Sequence, residues 1–140
     1  MIRFALILLL LSFPAFAADP VSDKLITGPA SYIVDGDTLD VGKTRIRLWG
    51  INTPERGEPG YDEAKEFLKN LTANATLDCL AMYYDRWKRT VASCKIDGQD
   101  VGRIMVLSGM AIDYKKYSDG FYAKDEATAR IKGVGFWANQ

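Results

Sequence analysis

Ser31-Tyr32-Ile33-Val34-Asp35-Gly36-Asp37-Thr38-Leu39-Asp40-Val41-Gly42-Lys43-Thr44-Arg45-Ile46-Arg47-Leu48-Trp49 decides the fold class. Three β-prone runs, Ser31 to Val34, Thr38 to Val41 and Thr44 to Trp49, are separated by Asp35-Gly36 and Gly42-Lys43. Asp-Gly between apolar runs is a strong hairpin signal, and Gly42-Lys43 turns the chain again. Side chains alternate along a strand, so Ile46 and Leu48 share the core face of the third run and Arg45, Arg47 and Trp49 the other.

Downstream of this meander, Ala64, Phe67, Leu68 and Leu71 recur at helical spacing. Two further β-prone runs, Thr76 to Tyr84 and Thr90 to Ile96, flank the polar segment Asp85 to Arg89. A second helix is predicted from about Gln99 to Ser108, with Val101, Ile104 and Met105 inward and Gly109 as its stop. A third is predicted over Phe121 to Lys132, marked by Ala123, Ala127 and Ile131 and ended by Gly133. Five strands with a helix between the third and fourth is the order of a mainly β, OB-type barrel, here with three α-helices. Such barrels commonly bind oligonucleotides or oligosaccharides, but a fold does not by itself define a function.

Residues 1–17 have the pattern of a signal peptide: a basic Arg3, an apolar run from Phe4 to Phe13, and Ala15-Phe16-Ala17 as a cleavage site. A membrane anchor is the rival, but the run is short for a span and is interrupted by Pro14. The expectation is therefore a single domain over residues 18–140, secreted or periplasmic, with no membrane attachment after cleavage. Cys79 and Cys94 sit in the two runs flanking Asp85 to Arg89. Folding that segment as a hairpin brings them near each other, favouring a disulfide in an exported chain over two buried thiols.

The chain has 18 Lys and Arg against 18 Asp and Glu, and removal of Arg3 with the leader leaves about −1. Nucleic-acid binding would therefore depend on a local basic patch. There is no histidine. Ser-His-Asp and Cys-His hydrolases, histidine-ligated zinc sites and histidine-based nucleases are excluded, leaving carboxylates, arginines, hydroxyls and a hard metal.

Within those limits, Asp35 suits the turn, while Asp37 and Asp40, an odd number of residues apart, face opposite ways in a regular strand. Pro54 biases Thr53 away from helix, so Gly50-Ile51-Asn52-Thr53-Pro54-Glu55 is an extended loop. It can present the Asn52 amide, the Thr53 carbonyl and the Glu55 carboxylate, an oxygen set suited to calcium or magnesium. Arg89 lies in a basic group with Arg86 and Lys88. Singly, each has an ordinary reading as a turn aspartate, a surface arginine or a charged hairpin tip.

Taken in order, these segments resemble the staphylococcal nuclease (thermonuclease) family across nearly all of residues 18–140. Asp35-Gly36-Asp37-Thr38 is similar to its Asp-Gly-Asp-Thr. Arg47-Leu48 and Gly50 to Glu55 are similar to its Arg-Leu and Gly-Ile-Asp-x-Pro-Glu, and Asp85 to Arg89 to its Asp-Arg/Lys-Tyr-Gly-Arg. Gly109-Met110-Ala111, Glu126 to Arg130 and Gly135-Phe136-Trp137 resemble its closing elements. The resemblance implies an OB barrel and calcium-dependent hydrolysis of DNA and RNA that leaves a 3′-phosphate. It implies Asp37, Asn52 and the Thr53 carbonyl as calcium ligands, Glu55 acting on water, and Arg47 and Arg89 on the phosphate. Trp87, Tyr114 and Tyr117 become candidates to stack on a base or sugar of single-stranded substrate, with ordinary packing as the alternative. No stable protein partner is expected.

Two positions depart from the family pattern. Asn52 replaces a usual Asp and removes one negative charge, which predicts weaker calcium binding. Lys88 replaces a Gly, either adding a phosphate-holding cation or marking a different turn. A catalytically silent OB module that binds nucleic acid or a protein is the main competing function. A cell-envelope or carbohydrate-binding OB domain gives no reason for two arginines and a glutamate to converge.

Overall fold

The computed structural model describes residues 23–140, and the expected leader lies outside them. The strands are β1 (Leu25–Gly28), β2 (Ala30–Ile33), β3 (Thr38–Val41), β4 (Thr44–Leu48), β5 (Ile51–Asn52), β6 (Leu77–Tyr84), β7 (Thr90–Ile96), β8 (Gln99–Asp100) and β9 (Ile112–Asp113). The helices are α1 (Tyr61–Thr72), α2 (Val101–Leu107), α3 (Lys115–Ser118) and α4 (Ala123–Lys132), followed by a 3-10 turn, Gly135–Trp137.

The main sheet has the order β1-β6-β7-β4-β3-β2, with β8 added on β7. Its outermost strands, β1 and β2, are separated in the chain only by Pro29, so the sheet has to curl to bring its two ends together. Pro29 has no amide to donate, which suits the corner where one strand leaves β6 and the next joins β3. Counted as one bent strand, β1 and β2 complete the five-stranded OB-type curl expected from the sequence. The β4–β7 contact is parallel, and α1 lies between β5 and β6 in the chain.

Alternation along β3, β4, β6 and β7 gives one face to the core. Leu39, Ile46, Leu48, Leu77 and Ala92 are at most 2% exposed and meet Leu68 from α1 and Val101, Met105 and Val106 from α2. Just past the end of β4, the aromatic pair Phe121 and Tyr122 packs on Trp49 at 5.5 and 6.0 Å, and Trp49 itself lies against the core.

Three sequence expectations change. First, there are four helices: α3, a single turn, has no hydrophobic repeat to announce it. Second, the predicted second helix starts later, because Gln99 and Asp100 pair with Ile96 and Lys95 of β7. Asp100 caps α2 by accepting from the Arg103 amide. Third, α4 is present, but the Ala123-Ala127-Ile131 stripe is its solvent side, with Ile131 88% exposed. The helix docks instead through Ala129, the preceding Tyr122, and an ion pair of Asp125 with Arg103 on α2. Tyr122 is buried and donates its hydroxyl to Asp100 at 2.9 Å. Burial and the Asp100 carboxylate raise its pKa and keep it a neutral donor.

Cys79 and Cys94 are directly opposite in the β6–β7 register and form a disulfide that is fully enclosed in the core. The link closes 15 residues of chain and so restricts the unfolded state. Cys79→Ala/Cys94→Ala is expected to lower stability by about 3 kcal/mol at 25 °C, measured by urea unfolding against the oxidised parent.

Candidate active site

Asp37 ends the β2–β3 loop. The loop is longer than the two-residue hairpin expected: Val34 and Asp35 both donate to the Thr38 carbonyl, and Asp35 Oδ1 accepts from the Asp37 amide. Gly36 is needed for space, not for a left-handed backbone. A Cβ there would lie 2.8 Å from the Ala64 Cβ and 3.0 Å from Thr53 Oγ1. The loop therefore packs directly on α1 and on the segment that carries Thr53.

This packing buries the Asp37 carboxylate to 5% exposure. Oδ1 accepts from Thr38 Oγ1 at 3.0 Å, and Oδ2 accepts from the Thr53 amide and hydroxyl at 3.2 and 2.9 Å. Register pairs Thr38 with Arg47 across β3–β4, and Arg47 Nη2 lies 3.1 Å from Asp37 Oδ2. Burial pushes the Asp37 carboxyl up to about 6; Arg47 and the Thr53 hydroxyl oppose the rise, and Asp35 adds to it. Arg47 is further fixed by donating to the Leu48 and Ile51 carbonyls at 2.6 and 2.9 Å.

The loop after β4 is clamped on both sides. Gly50 has φ +74° and faces the Tyr122 ring, where a Cβ would come within 3.1 Å of Cε2. β5 pairs with β9, and the Tyr114 amide donates to the Gly50 carbonyl at 2.8 Å. Beyond Asn52 the chain emerges: Glu55 is exposed, its amide donating to Glu58 Oε2 and its carbonyl accepting from the Glu58 amide.

The β6–β7 tip is organised by Asp85. Its Oδ1 accepts from the amides of Trp87 and Arg89, and its Oδ2 from Arg89 Nε at 2.6 Å. Burial alone would raise the Asp85 carboxyl, but the Arg89 amide and guanidinium outweigh it and hold it below the usual carboxylate range. Lys88 adopts φ +63°, so the turn at this position is left-handed despite the missing glycine. That conformation costs a non-glycine residue about 1–2 kcal/mol. Trp87 is 62% exposed, with the guanidinium carbons of Arg86 and Arg89 4.1 and 5.1 Å from its ring centroid.

These segments and α3 surround one open cleft of about 480 Å³. Of the residues singled out in the sequence, Asp37, Arg47, Asn52, Glu55, Trp87, Arg89, Tyr114 and Tyr117 line it. Thr53 does not; it is buried and anchors Asp37 through its amide and hydroxyl. Arg86, read from the sequence as a charged hairpin tip, also lines the cleft, as do Tyr83 and Lys116, which the sequence did not mark. Tyr83 lies one strand position past a β6 bulge, which breaks the alternation that would have forecast its face. Lys116 sits on the short α3 turn, which carried no sequence signal.

No group of three or more His, Cys, Asp or Glu side chains is disposed to hold a metal among the described residues. A metal here would need amide, carbonyl or water oxygens beside the carboxylates. The chemistry fits a hard cation: Asp35, Asp37, Asn52 and Glu55 present only oxygen or amide groups to the cleft. The buried Asp37 carboxylate, incompletely offset by Arg47, would gain from one.

Residues 45–139 match the family model described as staphylococcal nuclease homologue. The chain is 33% identical to the succinoglycan biosynthesis protein ExoI of Rhizobium meliloti (strain 1021), covering 94% of this chain and 72% of that protein. It is 33% identical to an uncharacterized endonuclease of Haemophilus influenzae, covering 76% and 64% respectively. It is 30% identical to a micrococcal nuclease of Shigella flexneri, covering 96% and 83%.

The lowered Asp85 carboxyl makes a pH prediction. A depressed folded pKa contributes stability that is present above the unfolded value of about 3.8 and lost as pH falls through the folded one. Asp85→Asn should be less stable than the parent at pH 7, with the gap closing below pH 4, read from urea midpoints at pH 7 and pH 3.

Proposed function

The chain belongs to the staphylococcal nuclease family, and from that premise we propose that it is an exported, calcium-dependent phosphodiesterase acting on DNA and RNA. The observation that carries the reading is the single cleft into which Asp37, Arg47, Asn52, Glu55 and Arg89 converge from four chain segments, the β2–β3 loop, β4, β5 with the loop after it, and the β6–β7 tip. The enclosed disulfide is consistent with an oxidising destination, secreted or periplasmic.

The chemistry follows from the charges. Glu55, exposed at the cleft, accepts a proton from the attacking water. As the water oxygen bonds to phosphorus and the bond to the 5′ oxygen breaks, negative charge grows on the phosphoryl oxygens, and the departing 5′ oxygen takes a proton from solvent to leave as a hydroxyl. Arg47, pre-oriented by two carbonyls and Asp37, and Arg89, pre-oriented by Asp85, meet that charge with guanidinium donors. Products then carry a 3′-phosphate. Asp37 and Asn52 with the Thr53 carbonyl would hold calcium, and Glu55 would reach it through water. Bound there, calcium supplies Lewis-acid polarisation of the phosphoryl group. Exposed Trp87, with Tyr114 and Tyr117, offers aromatic faces to unpaired bases and favours single-stranded substrate.

A binding module without catalysis is the second reading, favoured by the neutral Asn52 where the family pattern has an acid. Cleavage of single-stranded DNA that calcium supports and chelator abolishes selects the enzyme; its absence selects the module. Glu55→Ala and Arg89→Ala are each expected to lower the rate at least about a hundredfold with the fold retained. Near-parental rates in both variants would overturn the mechanism. Asn52→Asp should tighten calcium binding by calorimetry, since it restores a charge to the ligand set; an unchanged affinity would remove position 52 from the site.

A further inference from the structure

The cations of the cleft are not equivalent. Arg47 is paired with Asp37 at 3.1 Å, Arg89 with Asp85 at 2.6 Å, and Arg86 lies over the Trp87 ring. Neither Arg86 nor Lys116 has a carboxylate oxygen within 4.0 Å among the described residues, and of the two Lys116 is the compact ammonium. It is the one cation that the α3 segment contributes to the lining, and its neighbour Lys115 does not line the cleft. The Lys116 ammonium lies 5.4 Å from the Tyr117 ring centroid, and Tyr117 is itself braced edge-on by Tyr114 at 4.8 Å. An ammonium resting near an aromatic face keeps its charge while its stem loses some of its freedom.

The charge balance gives this position its weight. The lining holds four acids, Asp35, Asp37, Glu55 and Asp85, and four bases, Arg47, Arg86, Arg89 and Lys116. The whole chain has no net charge to draw a polyanion in. Grip beyond the reacting phosphate falls to the lining cations without a carboxylate partner, Arg86 and Lys116. Two anchored arginine forks suit the reacting phosphate, whose oxygens need bidentate donors. A compact ammonium on a flexible stem suits a phosphate that has only to be held.

We propose that Lys116 binds the backbone phosphate flanking the scissile one. The assignment rests on the nuclease reading above for the identity of the scissile position. Lys116 is a positioning residue in this account: it fixes where the strand lies and takes no part in bond cleavage.

The test uses a fluorescently labelled oligothymidylate, the parent protein, Lys116→Ala and Lys115→Ala. Anisotropy titrations across a KCl series are run with chelator and with calcium, alongside cleavage kinetics in calcium. Lys116→Ala is expected to weaken binding about fivefold at low salt and to reduce the slope of log affinity against log salt by about 0.7, one phosphate contact's share for a single strand. The cleavage defect should fall on KM and not on kcat, and Lys115→Ala should match the parent in affinity and slope. A Lys116→Ala protein with parental affinity and slope overturns the proposal, as does a Lys115→Ala protein with the same loss. If the parent binds with a Lys116-dependent slope yet never cleaves, the nuclease reading fails and the Lys116 contact stands. Cleavage with an unmoved Lys116 variant overturns the contact alone, and a parent that binds no oligonucleotide in either condition overturns both.

Discussion

The Asp37 carboxylate is almost sealed from solvent and is met by Thr38, Thr53 and Arg47, which join the β2–β3 loop, β4 and the segment after β5. Taking a carboxylate out of water is costly, and loss of any one donor would leave part of that cost unmet. The surrounding geometry is correspondingly exact in its demands: Gly36 has no room for a side chain, and Gly50 is pressed on Tyr122. Tyr122 is in turn bonded to Asp100 at the start of α2, and its amide donates to Asp113 on β9. A chain of contacts thus runs from the C-terminal helices to the candidate site. A buried ion pair of this kind is weak evidence for stability, since apolar residues of similar volume are often as good. A carboxylate kept charged-capable at such cost, on the wall of an open cleft, is better explained by what it binds.

Much of this was legible in the sequence because it rests on short-range rules. Strand alternation placed Ile46 and Leu48 inward, the Gly42-Lys43 turn set the β3–β4 register, and that register alone puts Arg47 opposite Thr38 and beside Asp37. The spacing of Ala64, Phe67, Leu68 and Leu71 found α1, and the hairpin argument found the Cys79–Cys94 pair. What escaped depended on tertiary packing. The alanine and isoleucine stripe of α4 has helical spacing but faces water, because the helix is held by Tyr122, Ala129 and an ion pair. Periodicity finds a helix more reliably than it finds the side that docks. The α3 turn has too few residues for a repeat, and with it went Lys116. Thr53 was read for its carbonyl alone, and the bonds of its amide and hydroxyl to Asp37 are an added role, because a buried hydroxyl's partner cannot be read from spacing.

Lys88 shows how a departure from a family pattern can be absorbed. The turn at the β6–β7 tip keeps a left-handed residue where glycine would fit without strain. Three bonds to Asp85 from the Trp87 amide, the Arg89 amide and Arg89 Nε hold the turn in place. Hydrogen bonds to a charged group contribute about 1.5–3 kcal/mol each, enough to outweigh a backbone penalty of about 1–2 kcal/mol. Arg89 therefore still points into the cleft, and the substitution alters the cost of the turn without altering what the turn presents.

The same balance governs how such a cleft could hold a polyanion and release it. Arg47 and Arg89 are each fixed by a carboxylate, which orients their donors and also lowers the field a distant phosphate feels. Paired in this way, the arginines act at contact distance, where guanidinium geometry matters, and add little to long-range capture. On the proposed reading, capture falls to the unpaired Lys116 and Arg86, whose charges are solvent-screened, so that hold would weaken with salt and reform readily. A chain with equal numbers of positive and negative side chains has no net positive field to hold a polyanionic product. On that reading, separating a pre-oriented reacting pair of arginines from a looser guiding cation would let the site bind phosphate tightly where bonds change and lightly everywhere else.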